Sequence, residues 1–247
     1  MSLVSVSREG AVCVLELRRP EKLNALSTAL EGDLQQALAS PEVGESRALV
    51  VTGAGRAFSA GADVSEFAER TPEAVLAYYR ATGDVYEQVA ALPQPTFSAI
   101  HGYCLGGGLE LALATDFRIA DATAVFGFPE VGLGILPSSG GTHRVTRLLG
   151  AARAKELILL RDRITAAEAL AIGLVTEAVP AGAALGRALD LAQRLAALPP
   201  AAVAVVKSAV DAGAEAPRAA GVLIERLAYG LLAQTQAARG AADERSG

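Results

Sequence analysis

Thr96-Phe97-Ser98-Ala99-Ile100, then His101-Gly102-Tyr103-Cys104-Leu105-Gly106-Gly107-Gly108, then Leu109-Glu110, is the stretch on which the fold turns. Its first five residues, largely apolar, read as a strand. A glycine-rich loop runs from Gly102 to Gly108, and Leu109 to Thr115 has helical composition. Three glycines between a strand and a helix permit a sharp turn and a close approach of backbone to a ligand. Amides at the helix start point outward, where the dipole favours negative charge. Such a turn can bind a phosphate or stabilise a developing oxyanion, and it serves equally as a ligand-free connection. Nucleotide folds fail on spacing: no Gly-x-Gly-x-x-Gly occurs and no glycine precedes a lysine.

Working outward, Phe117–Ala120 reads as a further strand, and Val12–Leu17 and Ala48–Thr52 as earlier ones. Thr28-x-x-Glu31 has the capping-box pattern and predicts a helix to about Ala39. Thr71-Pro72-Glu73 opens another, running towards Ala91 until Pro93 and Pro95 stop it. Strands alternating with helices imply an α/β core with parallel pairing. Beyond Gly140 helices dominate: Gly141–Leu149, Ala151–Leu160, and Thr165–Ile172 with its own capping box (Thr165, Glu168) and Gly173 as stop. Leu174–Val179 reads as a late strand. From Ala183 the chain is alanine-rich helix, broken at Pro199-Pro200, and the polar tail Ala237–Gly247 is expected to fray.

The chain has 247 residues, 51% of them apolar and 20% charged, which excludes global disorder and suits one compact domain. A formal charge of -5 argues against a general nucleic-acid binder. No apolar run is long enough for a membrane span. Arg8 and Glu9 stand where a signal peptide needs apolar residues, so a cytoplasmic protein is expected. Cys13 and Cys104 cannot form a disulfide framework, and His101 and His143 lack companions at metal spacing.

Phe58-Ser59-Ala60-Gly61-Ala62-Asp63 is a second small-residue loop whose amides are open to a ligand or belong to an ordinary turn. Glu110 lies in the first turn of its helix, where the dipole favours a carboxylate for structure or for chemistry. Glu130, between Phe126-Gly127-Phe128-Pro129 and Val131-Gly132-Leu133-Gly134, sits among apolar residues, where burial would raise its pKa and suit it to proton transfer.

Five segments in order carry a family resemblance: Pro20–Leu26, Ala57–Val64, His101–Glu110, Phe126–Gly134 and Gly140–Arg144. On these the chain resembles the enoyl-CoA hydratase/isomerase (crotonase) superfamily, over roughly Val4 to Leu227, and most resembles the hydratases. The resemblance implies an α/β spiral of ββα units (1–194) with a helical C-terminal region (195–247) for oligomerisation and site closure. It implies a homotrimer or dimer of trimers and an acyl-CoA thioester substrate. Two backbone N–H groups, of Ala62 and Gly107, would form the oxyanion hole, and Glu110 and Glu130 would be the catalytic pair. Lys22, Ala60, Ala62, Asp63, Val64, Ser65 and Gly106 would contact substrate or CoA, with Arg18 and Arg19 beside Lys22 in one basic cluster. No metal or redox cofactor is implied, since coenzyme A is part of the substrate.

The implied reaction is reversible addition of water to a trans-2-enoyl-CoA, as in fatty-acid β-oxidation. Three alternatives stay open. An isomerase or other enolate-forming enzyme would use Glu130 alone. A non-catalytic member would bind acyl-CoA only. A serine hydrolase is suggested by Ala57-Phe58-Ser59-Ala60-Gly61, a near-miss of the nucleophile elbow. The sequence also departs from the family's pattern. Ser138 stands where many hydratases have glycine, Ser65 replaces a common basic residue, and His101 replaces a small polar one and is read as structural. The aromatic-and-basic tail that helps to hold CoA is missing, so a weaker grip on CoA is expected.

Overall fold

In the computed structural model, described for residues 2–66, 71, 73, 74, 77 and 84–235, the apolar runs become strands buried on both faces. In chain order the first half comprises β1 (Val4–Glu9), β2 (Val12–Leu17), α1 (Thr28–Leu38), α2 (Pro41–Gly44), β3 (Ala48–Gly53), β4 (Ala57–Ser59), α3 (Asp84–Ala90), β5 (Thr96–Ile100), β6 (Tyr103–Leu105) and α4 (Gly107–Ala114). The second half comprises β7 (Phe117–Asp121), β8 (Val125–Gly127), α5 (Gly141–Leu149), α6 (Ala151–Leu159), β9 (Ile164–Thr165), α7 (Ala166–Ala171), β10 (Glu177–Val179), α8 (Ala184–Ala196), α9 (Pro200–Glu215) and α10 (Arg218–Leu232).

Two sheets result. The larger has the order β1-β2-β3-β5-β7-β10 and the smaller β4-β6-β8-β9. Among the strand pairs of the described residues, β1/β2 and β8/β9 are antiparallel and the others parallel. From β3 to α5 each turn of the chain lays one strand in each sheet and then passes towards a helix, most plainly in β5-β6-α4. This is the expected spiral of ββα units. Parallel strands covered on both sides read as continuous apolar runs, which is why β3 and β5 are buried at every residue.

One core packs Leu15, Leu17, Leu49 and Phe58 against Leu30 and Leu34 of α1 and Leu109 of α4. The other face of the larger sheet, with Val12, Val50, Phe97 and Ile119, is covered by Ala184, Ala188, Ala192 and Ala196 of α8. Alanine at every fourth position brings that helix close to the strands.

Several expectations shift. The first helix is capped by Ser27, whose Oγ accepts from Leu30 N at 3.2 Å; Glu31 closes no capping box and turns inward to Tyr86 instead. The capping box at Thr165 and Glu168 is present. The late strand is confined to Glu177–Val179. Strand β1, half of it exposed at the sheet edge, and the short strands of the smaller sheet were absent from the sequence reading. The expected helix start at Pro72 and the tail 237–247 lie outside the described residues. Helices α9 and α10 pack on each other but bury no residue. No single described helix is long and apolar enough to cross a membrane.

Asn24 locks the base of the site. It is fully buried at φ +54°, and its Nδ2 donates to Ala54 O at 2.9 Å and Ala57 O at 2.7 Å, while Oδ1 accepts from Arg19 N at 2.9 Å. Asn24→Ala leaves these buried groups unpaired and places a less tolerant residue in the left-handed region. We expect a loss of about 3 kcal/mol of stability, read by urea unfolding.

Candidate active site

Two loops meet at the start of α4. After β4 the chain runs Ala60-Gly61-Ala62-Asp63, and Leu26 pins it: Leu26 N donates to Gly61 O at 2.8 Å and Asp63 N to Leu26 O at 2.9 Å. Gly61 has φ +99°, and a Cβ there would stand 2.8 Å from Leu105 O and 3.4 Å from Gly107 N. From the other side, a Cβ on Gly107 would stand 3.4 Å from Ala62 N. The amides of Ala62 and Gly107 are therefore neighbours, and among the described residues neither donates to a protein acceptor. Gly107 is the first residue of α4, where an N–H has no partner within its own helix.

Two carboxyls flank this point. Glu110, in the first turn of α4, is 3% exposed, and its Oε1 accepts from Ser139 N at 2.7 Å and Gly141 N at 2.8 Å. Burial pushes its pKa up, and the Gly141 and Ser139 amides draw it back. Glu130 follows Pro129 in a short 3-10 helix, Pro129–Leu133, beyond β8. It is buried, and its Oε2 has no hydrogen-bond partner among the described residues. Burial pushes its pKa up to about 7, and the charge of Glu110 adds to the rise. A Cβ on Gly106 would stand 2.6 Å from Glu130 Oε1, so the carboxyl lies directly on the turn that presents Gly107. Ala62, Gly106, Gly107, Glu110 and Glu130 are thus brought to one place.

The remaining expected residues lie around its mouth. Ala60 is half-buried, Val64 and Ser65 are exposed in the 3-10 turn Val64–Glu66, and Lys22 is exposed at the end of the turn Pro20–Lys22. Asp63 is occupied: it pairs with Arg19 at 2.6 Å and accepts from Ser65 Oγ at 2.6 Å. The Ser65 hydroxyl, with Arg19, holds the Asp63 carboxyl below the usual range. Arg19 is accordingly withdrawn from the basic cluster expected with Arg18 and Lys22, and it also donates to Ala25 O.

The nucleophile-elbow reading fails on geometry. Ser59 is fully buried and its Oγ donates to Asn24 O at 2.8 Å, while His101 Nε2 bonds with Gly55 O, consistent with a structural His101. Both cysteines are free and buried. Among the described residues no group of three His, Cys, Asp or Glu could hold a metal ion. The sequence reading missed the amides of Ser139 and Gly141, the locking role of Asn24, and the inward Glu31. No sequence signal marks a backbone donor, but Asn24 between a polar break and a helix cap was a visible candidate for a turn lock.

The profile of the enoyl-CoA hydratase/isomerase family matches residues 7–242. A 2,3-dehydroadipyl-CoA hydratase of Escherichia coli (strain K12) is 38% identical over 237 residues, covering 96% of this chain and 92% of that protein. A short-chain-enoyl-CoA hydratase of Clostridium acetobutylicum is 39% identical over 194 residues, 78% of this chain and 74% of that protein. The crystal structure of an enoyl-CoA hydratase from Bacillus anthracis superposes with a TM-score of 0.89 at 39% identity, covering 95% of this chain and 92% of that one. The chain belongs to the enoyl-CoA hydratase/isomerase family and has the crotonase fold, close to the enoyl-CoA hydratases.

Proposed function

We propose that the protein adds water reversibly to a trans-2-enoyl-CoA, giving a 3-hydroxyacyl-CoA. The observation that carries this reading is the unequal setting of two buried carboxyls beside two unengaged amides. The thioester oxygen would accept from Ala62 N and Gly107 N, so that negative charge can develop on it as an enolate. In other enzymes one such donor contributes about 3 kcal/mol of transition-state stabilisation. Glu110, kept ionisable by two backbone N–H bonds, would orient a water and take its proton as oxygen adds to the β-carbon. Glu130, desolvated and with a free oxygen, would be the protonated partner that delivers a proton to the α-carbon. No step calls for a metal or redox cofactor, because CoA enters as part of the substrate.

The reading extends to the mouth and the assembly. Lys22, Ala60, Asp63, Val64 and Ser65 would line the CoA entry, Asp63 through its backbone since its carboxyl is engaged. Exposed Val206, Val210, Leu223 and Leu227 on α9 and α10 form an apolar surface that further copies would cover in a trimer or dimer of trimers. The two free, buried cysteines suit a cytoplasmic setting.

The test is a panel of enoyl-CoA thioesters of varied chain length, followed by ultraviolet absorbance with product identification by mass. Hydration of none of them would overturn the reading. Migration of the double bond without hydration would establish an isomerase.

A pH dependence follows. Hydration needs Glu130 protonated, so kcat/KM falls as pH rises through about 7. It needs Glu110 ionised, so activity also falls on the acid side. The two apparent pKa values belong to the pair. In Glu130→Gln the residual activity should lose its basic limb, and a limb that survives there contradicts the assignment.

A further inference from the structure

A second buried polar pair lies against the paired amides. Tyr86 on α3 and Glu31 on α1 are each 3% exposed, and Tyr86 Oη donates to Glu31 Oε1 at 2.7 Å. A Cβ on Gly107 would stand 3.6 Å from Tyr86 Oη, beside the 3.4 Å to Ala62 N. The hydroxyl thus lies beside the first residue of α4, whose nitrogen is close to the loop of Ala62. Helix α3 itself packs against both α1 and α4, so the bond ties two helices together at the base of the third. The charge of Glu31 also reaches Glu110 and raises its pKa. An aliphatic pair would fill this space without burying a hydroxyl and a carboxyl. Polar groups in a core are tolerated when bonded, and a bonded pair fixes geometry that apolar contacts leave loose.

Resting on the enoyl-CoA reading above, we propose that Tyr86, oriented by Glu31, is a positioning residue that keeps the Gly107 amide aimed at the thioester oxygen. Neither side chain touches the reacting carbons. Besides the charge of Glu31 felt at Glu110, their effect passes through the first turn of α4. A misaimed donor weakens the transition state more than the ground state, so the loss belongs in kcat and not in KM.

The experiment compares Tyr86→Phe, Glu31→Gln, Glu31→Leu and the double variant Tyr86→Phe/Glu31→Leu in the full chain. Two readouts are taken: steady-state hydration of a short enoyl-CoA, and the absorption of a bound aryl-enoyl thioester, which moves to the red when its carbonyl is hydrogen-bonded. In Tyr86→Phe we expect kcat to fall about tenfold, part of what removal of a donor costs, with KM within about twofold and a smaller red shift. Glu31→Leu should match it, and Glu31→Gln, which keeps an acceptor for the hydroxyl, should recover most of the loss. The double variant should be no worse than either single, since both remove one interaction.

Unchanged kcat and red shift in Tyr86→Phe, a loss confined to KM, failure of Glu31→Gln to recover, or additive losses in the double variant would each overturn the proposal. The optical readout separates this inference from the hydratase reading. If the wild type shifts the bound chromophore yet hydrates no enoyl-CoA, the hydratase reading fails, and the proposal stands or falls on the shift in Tyr86→Phe. If the wild type gives no shift, no carbonyl is gripped and the proposal fails as well. Should Glu31→Leu not fold, Tyr86→Phe and Glu31→Gln decide it.

Discussion

Glu110→Gln and Glu130→Gln should each lower kcat for hydration by about a thousandfold, within the range for loss of a positioned acid or base, and leave the fold intact. Both substitutions are nearly isosteric. A glutamine at 110 still presents an oxygen to the amides of Ser139 and Gly141, so the loop keeps its hydrogen bonds while the basic charge is gone. A glutamine at 130 replaces a carboxyl already neutralised in part by burial, so little electrostatic energy changes, but the transferable proton is lost. Steady-state assay with product identification and a thermal melt of each variant provide the check. Full hydration by either variant would remove that glutamate from the mechanism. Double-bond migration retained in Glu110→Gln, with hydration lost, would favour chemistry by Glu130 alone.

Gly106→Ala should be the most damaging small substitution in the site. Gly106 has φ +50° and ψ -125°, a region that residues with a Cβ avoid at a cost of about 1–3 kcal/mol. The added methyl would also stand 2.6 Å from Glu130 Oε1 and 3.3 Å from its Cδ. The flexible end of the glutamate can move, which spares the fold, but it moves away from the place where its proton is used. We therefore expect a melting temperature lowered by several degrees together with a kcat reduced by at least about a hundredfold, as misplacement by about 1 Å can do. A variant that is destabilised yet fully active would show that the position of the Glu130 carboxyl over Gly106 is irrelevant to turnover.

The long strands and the helices were legible because periodicity and glycine punctuation are local. Thr96–Ile100 and Gly141–Leu149 have the expected limits, since each is bounded by a proline or glycine. The smaller sheet was not legible. Its strands have two or three residues each, too few for any alternation, and they are defined only by their partners. Ser27, not Thr28, caps the first helix: Thr28 gives its N–H and its hydroxyl to Glu66, and Glu31 accepts from Tyr86 on a distant helix, contacts that no local pattern encodes.

In the site, the expected residues 62, 106, 107, 110 and 130 converge. Side chains with a chemical type could be singled out from the sequence, and so could glycines where backbone must come close. The donors that hold Glu110 could not, since a backbone N–H belongs to every residue but proline. The fate of Asp63 and Arg19 was equally hidden, because their ion pair joins residues far apart in the chain.

The segment from Glu130 to Gly141 carries one carboxyl on its own side chain and, at its far end, offers the N–H groups that seat the other. It works as a yoke between two acids. Adding or deleting a single residue within it would dislodge both together, so insertions here should be far more harmful than their surface position suggests. Divergence towards a new reaction on this scaffold is then confined to exchanging side chains along the yoke, one position at a time, at fixed length.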